Sequence, residues 1–145
     1  MRDRLPYRGA GVLLLCQRRG DPTLVLLGRR RYAPNRGALS IPGGGMEPQD
    51  RGDYVTCGRR EALEELPGIE MLMPNEASGE RVRLFIPGLF HWITVVYVID
   101  HAPTVSTWLQ GPTPEFERQS IGWYPTTKLP REVHWGVRWT LWHVR

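Results

Sequence analysis

Three glutamates on one face of a predicted helix are the residues in this chain best suited to do chemistry. Glu61, Glu64 and Glu65 lie in a continuous segment of helix-forming residues. At about 100° per residue their side chains point to about 0°, −60° and +40°, within one arc of about 100°. Carboxylates crowded in this way repel one another. A divalent cation that prefers oxygen ligands, Mg2+ or Mn2+, would remove the repulsion and gain a site.

An acidic surface exposed to solvent is the common alternative explanation for a charge cluster of this kind. The residues in front of the helix favour a metal site, because Gly43, Gly44 and Gly45 form a predicted glycine turn that leads into it. A helix that served only as an acidic docking surface for another protein would leave these glycines unexplained.

The glycine run and the acidic helix together resemble the Nudix box, whose usual pattern is G-x5-E-x7-R-E-U-x-E-E-x-G-U, with U an aliphatic residue. Residues 41–44 match the start of the box, Glu47 stands where the family often has a glutamate, and residues 60–65 match R-E-U-x-E-E position by position. Two departures occur: the segment between Gly44 and Glu61 is two residues longer than usual, and one extra residue follows the last glutamate. Both lie at loop–helix junctions, where insertions are tolerated best.

The resemblance implies an enzyme that hydrolyses a nucleoside diphosphate linked to another group, with Mg2+ or Mn2+ as its cofactor. It assigns metal binding to Glu61, Glu64, Glu65 and the carbonyl of Gly43, and it makes Arg60 the arginine that orients a glutamate through a salt bridge. The alternative is a Nudix-fold nucleotide-binding or regulatory protein in which the longer loop has weakened catalysis. The intact arginine and glutamates favour the enzyme.

Acidic residues outside the box are candidates for one further catalytic base or metal ligand. Asp100 ends a predicted central strand, and Glu115 and Glu117 precede Trp123. Each is also explained as a loop acid in water, and the residue pattern does not choose among them. Glu115 is preferred, because a Pro-Glu pair before the tryptophan strand resembles family members that act on nucleotides.

Arg29 and Arg31 are candidate substrate-binding residues, because a guanidinium group matches the geometry of phosphate. Strand alternation turns these two to one face and Arg30 to the other, so all three cannot reach one ligand. A solvated basic edge explains them equally well. Tyr32 and Ile41 are candidate walls for a planar group, although core packing accounts for Ile41 as readily.

Length and composition indicate a globular protein of one domain, residues 1–145, with 41% hydrophobic and 23% charged residues. A net charge of +4 favours a small phosphorylated ligand, but the chain lacks the dense basic runs of a dedicated nucleic-acid-binding protein. No apolar stretch approaches the ~20 residues of a membrane span, and the N-terminus does not resemble a signal peptide. We therefore expect a cytoplasmic protein without a membrane partner.

The order of predicted elements indicates an α/β fold, an α-β-α sandwich with a mixed sheet. Strands are predicted in a hairpin over 10–28 and at 38–41, 82–86, 92–99 and 121–124. Asp50 or Asp53 is expected to cap the acidic helix, which Pro67 and Gly68 end. The 92–99 strand is apolar on both faces, which predicts a central position in the sheet.

A second helix is predicted over residues 131–145, with two apolar stripes. One stripe consists of valines and a leucine, and the other of Trp135, Trp139 and Trp142. One stripe packs on the sheet, so the other is left as a surplus aromatic face. This face predicts either a homodimer contact or a pocket wall.

Overall fold

The computed structural model describes residues 5–144, so Met1–Arg4 and Arg145, at the end of the predicted second helix, lie outside the described residues. Short 3-10 turns connect the main elements. In chain order these are β1 (Tyr7–Cys16), β2 (Leu24–Arg30), β3 (Leu39–Ser40), β4 (Gly43–Gly45), α1 (Tyr54–Glu65), β5 (Glu80–Ile86), β6 (Phe90–Ile99), β7 (Phe116–Pro125) and α2 (Trp135–His143).

The seven strands form one mixed sheet with β1 and β6 at its centre. These two strands run parallel along their whole length, and β5 pairs antiparallel with the other side of β6. β1 pairs antiparallel with β4 through Gly9–Gly11 and with β2 at Leu15 and Cys16, so the predicted 10–28 hairpin is joined at two residue pairs. β2 continues the sheet by pairing with β3 and β7. The central position predicted for residues 92–99 is confirmed.

The two helices pack on opposite faces of the sheet, each over its own apolar cluster, which confirms the predicted α-β-α sandwich. The α1 cluster includes Val12, Leu14, Leu26, Val55, Ala62, Val95, Tyr97, Phe116 and Ile121. The α2 cluster includes Leu13, Leu15, Val25, Leu27, Leu39, Ile41, Val96, Val133 and Val137. Alternate residues of β1 and β6 divide between the two clusters, as expected for strands covered on both faces.

The glycine run is a strand rather than the predicted turn. Gly43–Gly45 pairs with Gly9–Gly11 of β1. A Cβ atom at Gly43 would lie 2.7 Å from the carbonyl oxygen of Ala10. Glycine therefore allows β4 to approach β1 closely, which holds the start of the box against the centre of the sheet.

The second helix starts later than predicted, at Trp135 instead of residue 131. Residues 132–134 run along β3, where the N–H of Leu39 bonds the carbonyl of Glu132 and the N–H of His134 bonds the carbonyl of Leu39. The ring of His134 then accepts a hydrogen bond from the N–H of Gly136 and caps the helix. Pairing with the sheet thus delays the helix by one turn. Neither α-helix within residues 5–144 is long and apolar enough to cross a lipid bilayer.

Candidate active site

The cap of α1 sets the position of the three glutamates. Asp53 accepts hydrogen bonds from the N–H of Val55 at 3.1 Å and the hydroxyl of Thr56 at 2.9 Å. Of the two predicted caps, Asp50 and Asp53, Asp53 is therefore the residue that caps the helix. Because the helix then begins at Tyr54, the glutamates fall on its C-terminal half, beside the glycine strand β4.

Glu61 and Glu65 lie under β4 as a buried pair. Their exposed fractions are 9% and 7%. An oxygen of Glu65 accepts a hydrogen bond from the N–H of Gly43 at 3.1 Å. Any side chain at Gly44 would overlap the carboxyl of Glu61. The glycines thus allow two acidic side chains to fit against a main chain, in a space that larger residues would fill.

Burial raises the affinity of this pair for protons. Burial is the main reason why the pKa of Glu65 rises to about 9, with the N–H of Gly43 opposing the rise and the Glu61 carboxyl adding to it. Burial also raises the pKa of Glu61, which is close enough to share a hydrogen bond with Glu65. At neutral pH the pair therefore holds a proton, whose place a cation can take. Two carboxyl groups and nearby main-chain oxygens form a donor set that fits Mg2+ or Mn2+.

The Gly43 carbonyl is available to such a site. The N–H of Val12 donates to the carbonyl of Pro42 and the N–H of Met46 to the carbonyl of Arg8, so alternation makes Ala10 and Gly44 the hydrogen-bonded pair between these bonds. The N–H and carbonyl of Gly43 therefore point away from β1. The N–H of Gly43 on that side already bonds Glu65. The geometry is therefore compatible with the predicted role of this carbonyl as a metal ligand.

Arg60 joins the carboxylates to the loop in front of the helix. Its Nε and Nη2 each lie 2.8 Å from one oxygen of Asp50, in a two-pronged ion pair. Its Nη1 donates to Glu61 at 3.1 Å and Glu64 at 3.2 Å. Nη2 also donates to the carbonyl of Gly45 at 3.1 Å. This geometry fits the predicted role of Arg60 in orienting a glutamate.

Asp50 is the residue that sequence reasoning missed. Its side chain is buried, and its hydrogen bonds with Arg60 hold its pKa below the ordinary range. In the family pattern five residues separate a glycine from a glutamate, and counting from Gly44 puts that acidic position at residue 50. This spacing could have identified Asp50. Glu47 is instead half exposed and lies 3.8 Å from Arg60, while its N–H bonds Asp50 at 2.9 Å.

The two extra residues of the box fall between Asp50 and the helix. Arg51 and Gly52 have φ angles of 54° and 76°, and both are exposed. Two successive left-handed residues turn the chain outward, and Asp53 then starts the helix. The insertion therefore protrudes into solvent and leaves the spacing of the glutamates unchanged.

Glu64 does not join the buried pair. Its side chain is 56% exposed and bonds Arg60. Among residues 5–144, no three His, Cys, Asp or Glu side chains converge as a metal-binding group. Two of the three carboxylates thus form a buried pair, and Glu64 reaches the same Nη1 of Arg60 as Glu61 from the exposed edge of the helix.

Arg30, rather than Arg29 or Arg31, faces the carboxylate pair. Arg29 pairs with Leu39 of the α2 cluster, so it faces α2 and alternation turns Arg30 toward α1. The positive charge of Arg30 accordingly opposes the rise in the pKa of Glu65. The Nε of Arg30 is buried and has no hydrogen-bond partner among the described residues.

The other two arginines of the run contact main-chain carbonyls. Arg29 donates from Nη1 to the carbonyl of Gly37 at 2.8 Å. Arg31 donates from Nε to the carbonyls of Thr113 at 3.3 Å and Phe116 at 2.8 Å. Their predicted substrate contacts therefore depend on the nitrogen atoms that these bonds leave available.

The three candidate acids outside the box occupy different places. Glu115 lies 3.6 Å from Nη2 of Arg30, and Glu117 lies 3.8 Å from Nε of Arg29. Asp100 has a side chain that is 92% exposed and lies 3.1 Å from His101. Asp100 follows the end of β6, whereas β4 is level with residues 92–94, near the start of that strand. At ~3.3 Å per residue, Asp100 is about 20 Å from the level of β4. Glu115 is thus the acid linked to the carboxylate pair, through Arg30.

The candidate wall residues divide between core and surface. Ile41 is buried in the α2 cluster. Tyr32 is exposed and lines a cavity of about 390 Å³ together with Arg31 and Glu115. The structure therefore brings three predicted site residues together on one cavity.

The tryptophan stripe of α2 is only partly covered. Trp139 is half buried, whereas Trp135 and Trp142 are exposed. Trp142 lines a further cavity of about 460 Å³ at the end of α2. The homodimer contact stays a prediction.

Comparison with known proteins places this geometry in a family. A family model described as NUDIX domain matches residues 5–142. The MutT NUDIX hydrolase from Burkholderia pseudomallei is 23% identical, with a TM-score of 0.59, and the match covers 98% of this chain and 100% of that one. The MutT/nudix family protein from Enterococcus faecalis is 19% identical, with a TM-score of 0.62, over 84% of this chain and 44% of that one.

A third similar structure is a bifunctional NMN adenylyltransferase/ADP ribose pyrophosphatase from Francisella tularensis, complexed with AMP and a Mn ion. It is 13% identical, with a TM-score of 0.61, over 91% of this chain and 36% of that one. This chain thus spans less than half the length of the Enterococcus and Francisella proteins. These structural likenesses show a shared fold. Because the family model covers nearly the whole chain, the protein belongs to the Nudix family, and the predicted class, a hydrolase of diphosphate bonds, is confirmed.

Proposed function

We propose that this protein is a metal-dependent pyrophosphohydrolase that cleaves the diphosphate of a nucleotide or nucleotide derivative. The observation that carries the proposal is the buried Glu61–Glu65 pair against the glycine strand, with the charge of Arg30 beside it. Buried acids of raised pKa next to a cationic group are typical of catalytic sites rather than of a solvated helix face.

Mg2+ or Mn2+ is the proposed cofactor, with Glu61, Glu65 and the carbonyl of Gly43 as its ligands and Glu64 as a further one. A bound ion of this kind neutralises charge on the diphosphate and lowers the pKa of a bound water. The Francisella protein, of which 36% is covered by the match to this chain, is complexed with AMP and a Mn ion, which supports the proposal of a metal and a nucleotide ligand.

The residues of the chain itself supply positioning and charge. Arg60, fixed by Asp50, holds the Glu61 carboxylate in place. Arg30, whose Nε has no hydrogen-bond partner among residues 5–144, offers its guanidinium to a phosphate oxygen. Glu115, paired with Arg30, is the proposed acid or base from outside the box. Catalysis of diphosphate hydrolysis depends mostly on such electrostatic positioning.

The second candidate function is a nucleotide-binding or regulatory protein without turnover. The exposed position of Glu64 favours it, because one of the proposed ligands is open to solvent while the other two are buried. The outward course of Arg51 and Gly52 argues against it, because the longer loop leaves the Glu61–Glu65 pair under β4.

The ligand is proposed to be a small phosphorylated molecule, in keeping with the net charge of +4. The similar Francisella protein is an ADP ribose pyrophosphatase in one of its two functions, so ADP-ribose belongs among the candidates. Nucleoside triphosphates, dinucleoside polyphosphates and sugar nucleotides are the others. A cytoplasmic location stays a prediction.

A substrate panel tests the proposal. Each candidate is incubated with the protein and Mg2+ or Mn2+, and released phosphate or pyrophosphate is measured, with EDTA and Glu65→Gln as controls. We expect turnover of at least one compound, lost in both controls. Tight binding of a nucleotide without turnover of any compound would support the binding protein instead.

A further inference from the structure

We propose that the cavity beside Arg30 binds a second phosphate group, so that the preferred substrate carries a phosphate monoester in addition to the diphosphate that is cleaved. The inference rests on the proposed function, because it takes the Glu61–Glu65 pair as the place of cleavage. It assigns a ligand to a cavity that the box residues do not line.

The charge of the cavity favours an anion. Its volume is about 390 Å³, and its walls are Arg31, Tyr32, Pro112, Thr113, Pro114, Glu115 and Arg118. Two arginines therefore face one glutamate, and that glutamate is already paired with a third arginine, Arg30, at 3.6 Å. The wall retains positive charge that a phosphate can neutralise.

Both cavity arginines are anchored and still have nitrogen atoms available. Arg31 is held through Nε by the carbonyls of Thr113 and Phe116, and Arg118 through Nη1 by the carbonyl of Gly111 at 2.7 Å. Among residues 5–144, no hydrogen bond occupies the two terminal nitrogens of Arg31 or the Nη2 of Arg118. A guanidinium held in this way loses less conformational freedom when it binds phosphate.

Arg30 connects the cavity to the carboxylate pair. One end of its guanidinium lies 3.6 Å from Glu115 in the cavity wall, and strand alternation turns the Arg30 side chain to the α1 face of the sheet, where the Glu61–Glu65 pair lies. A substrate with its diphosphate at the glutamates can therefore extend past Arg30 into the cavity. The cavity lies within the ~300–1,000 Å³ of small-molecule sites, which suits a phosphorylated sugar or nucleoside group.

Binding of non-hydrolysable probes tests the proposal without turnover. Calorimetry without divalent cations compares AMP with adenosine 2′,5′-bisphosphate and 3′,5′-bisphosphate, which differ from AMP by one phosphate. We expect at least one bisphosphate to bind about tenfold more tightly than AMP, as one charge-assisted hydrogen bond allows. Equal affinity of the wild-type protein for all three probes overturns the proposal.

Arg118→Gln is the variant of choice, because Arg118 is exposed and one main-chain carbonyl is its only hydrogen-bond partner in the described part of the chain. The preference for the bisphosphate should fall to about threefold or less. Arg81→Gln is the matched control, since Arg81 is an exposed arginine of β5, a strand that contributes nothing to this cavity. If the two variants show the same preference, the assignment is wrong.

Hydrolysis of the substrate panel, measured separately, keeps the two proposals apart. A bisphosphate preference that depends on Arg118, without turnover of any diphosphate, refutes the hydrolase and leaves the anion site standing. Turnover by a protein that shows no such preference refutes only the anion site.

Discussion

The ion pair between Asp50 and Arg60 provides the sharpest test of how the box is held together. We predict that Asp50→Asn destabilises the protein and lowers turnover, although the change preserves size and substitutes none of the three glutamates. The variant removes the charge that binds both Nε and Nη2 of Arg60 at 2.8 Å. Arg60 is then free to shift, and the Glu61 carboxylate that it holds at 3.1 Å shifts with it.

The size of the effect follows from burial. The Asp50 side chain is 0% exposed and that of Arg60 14% exposed, and breaking a buried pair typically costs about 3–5 kcal/mol. Glu61 and Glu64 still compensate Arg60 in the variant, so we expect the lower end, about 3 kcal/mol. For a domain of this size that corresponds to a fall in Tm of roughly 6–12 °C. Misplacement of Glu61 should lower kcat by about tenfold.

Urea unfolding and kcat are measured for Asp50→Asn, Arg60→Gln and the double variant. The double-mutant cycle should give a coupling energy of about 1.5–3 kcal/mol. Asp53→Asn is the matched control, because it changes the exposed acid that caps the same helix and asparagine caps equally well. A coupling energy below about 0.5 kcal/mol, or equal losses in Asp50→Asn and Asp53→Asn, would refute the reasoning.

Three further predictions concern proton binding by Glu65, phosphate binding by Arg30 and the lack of room for a side chain at Gly44. Because the pKa of Glu65 is raised to about 9, the folded protein keeps a proton that the unfolded chain loses, so the free energy of unfolding without metal should fall as pH rises toward 9, by at most ~1.4 kcal/mol per pH unit. In Glu65→Gln, the free energy of unfolding measured with urea should change less over this pH range. Arg30→Gln should reduce kcat/KM by about tenfold or more in steady-state assays, whereas Arg29→Gln, on the opposite face, should change it less than twofold. Gly44→Ala should displace the carboxyl beneath it and reduce kcat/KM about tenfold, and Gly122→Ala, which meets no atom within 4 Å, should not.

The parts of the site that depend on local spacing could be predicted from the sequence. Helical periodicity placed Glu61 and Glu65 on one face, four residues apart, and the structure brings them together. The β-branched run at 92–99 predicted a strand covered on both faces, which is where β6 lies. Both inferences need only the geometry of a single element.

The parts that depend on contacts between segments could not be predicted in this way. Asp50 is an unremarkable loop acid until the fold brings Arg60 within 2.8 Å of it. Alternation separated Arg30 from its neighbours, but only the pairing of Arg29 with Leu39 shows which face meets the glutamates. The late start of α2 likewise depends on the main-chain bonds of residues 132–134 to β3.

The central claim is that Glu61, Glu64, Glu65 and the carbonyl of Gly43 form the site of a divalent cation. A crystal structure of the wild-type protein with Mn2+, read by anomalous scattering, tests it most directly. We predict one Mn2+ within about 2.0–2.6 Å of oxygens from at least two of the three glutamates, with the Gly43 carbonyl facing it. Crystals soaked at millimolar Mn2+ with no anomalous peak between α1 and β4, in a protein that hydrolyses its substrate in Mn2+, would contradict the account.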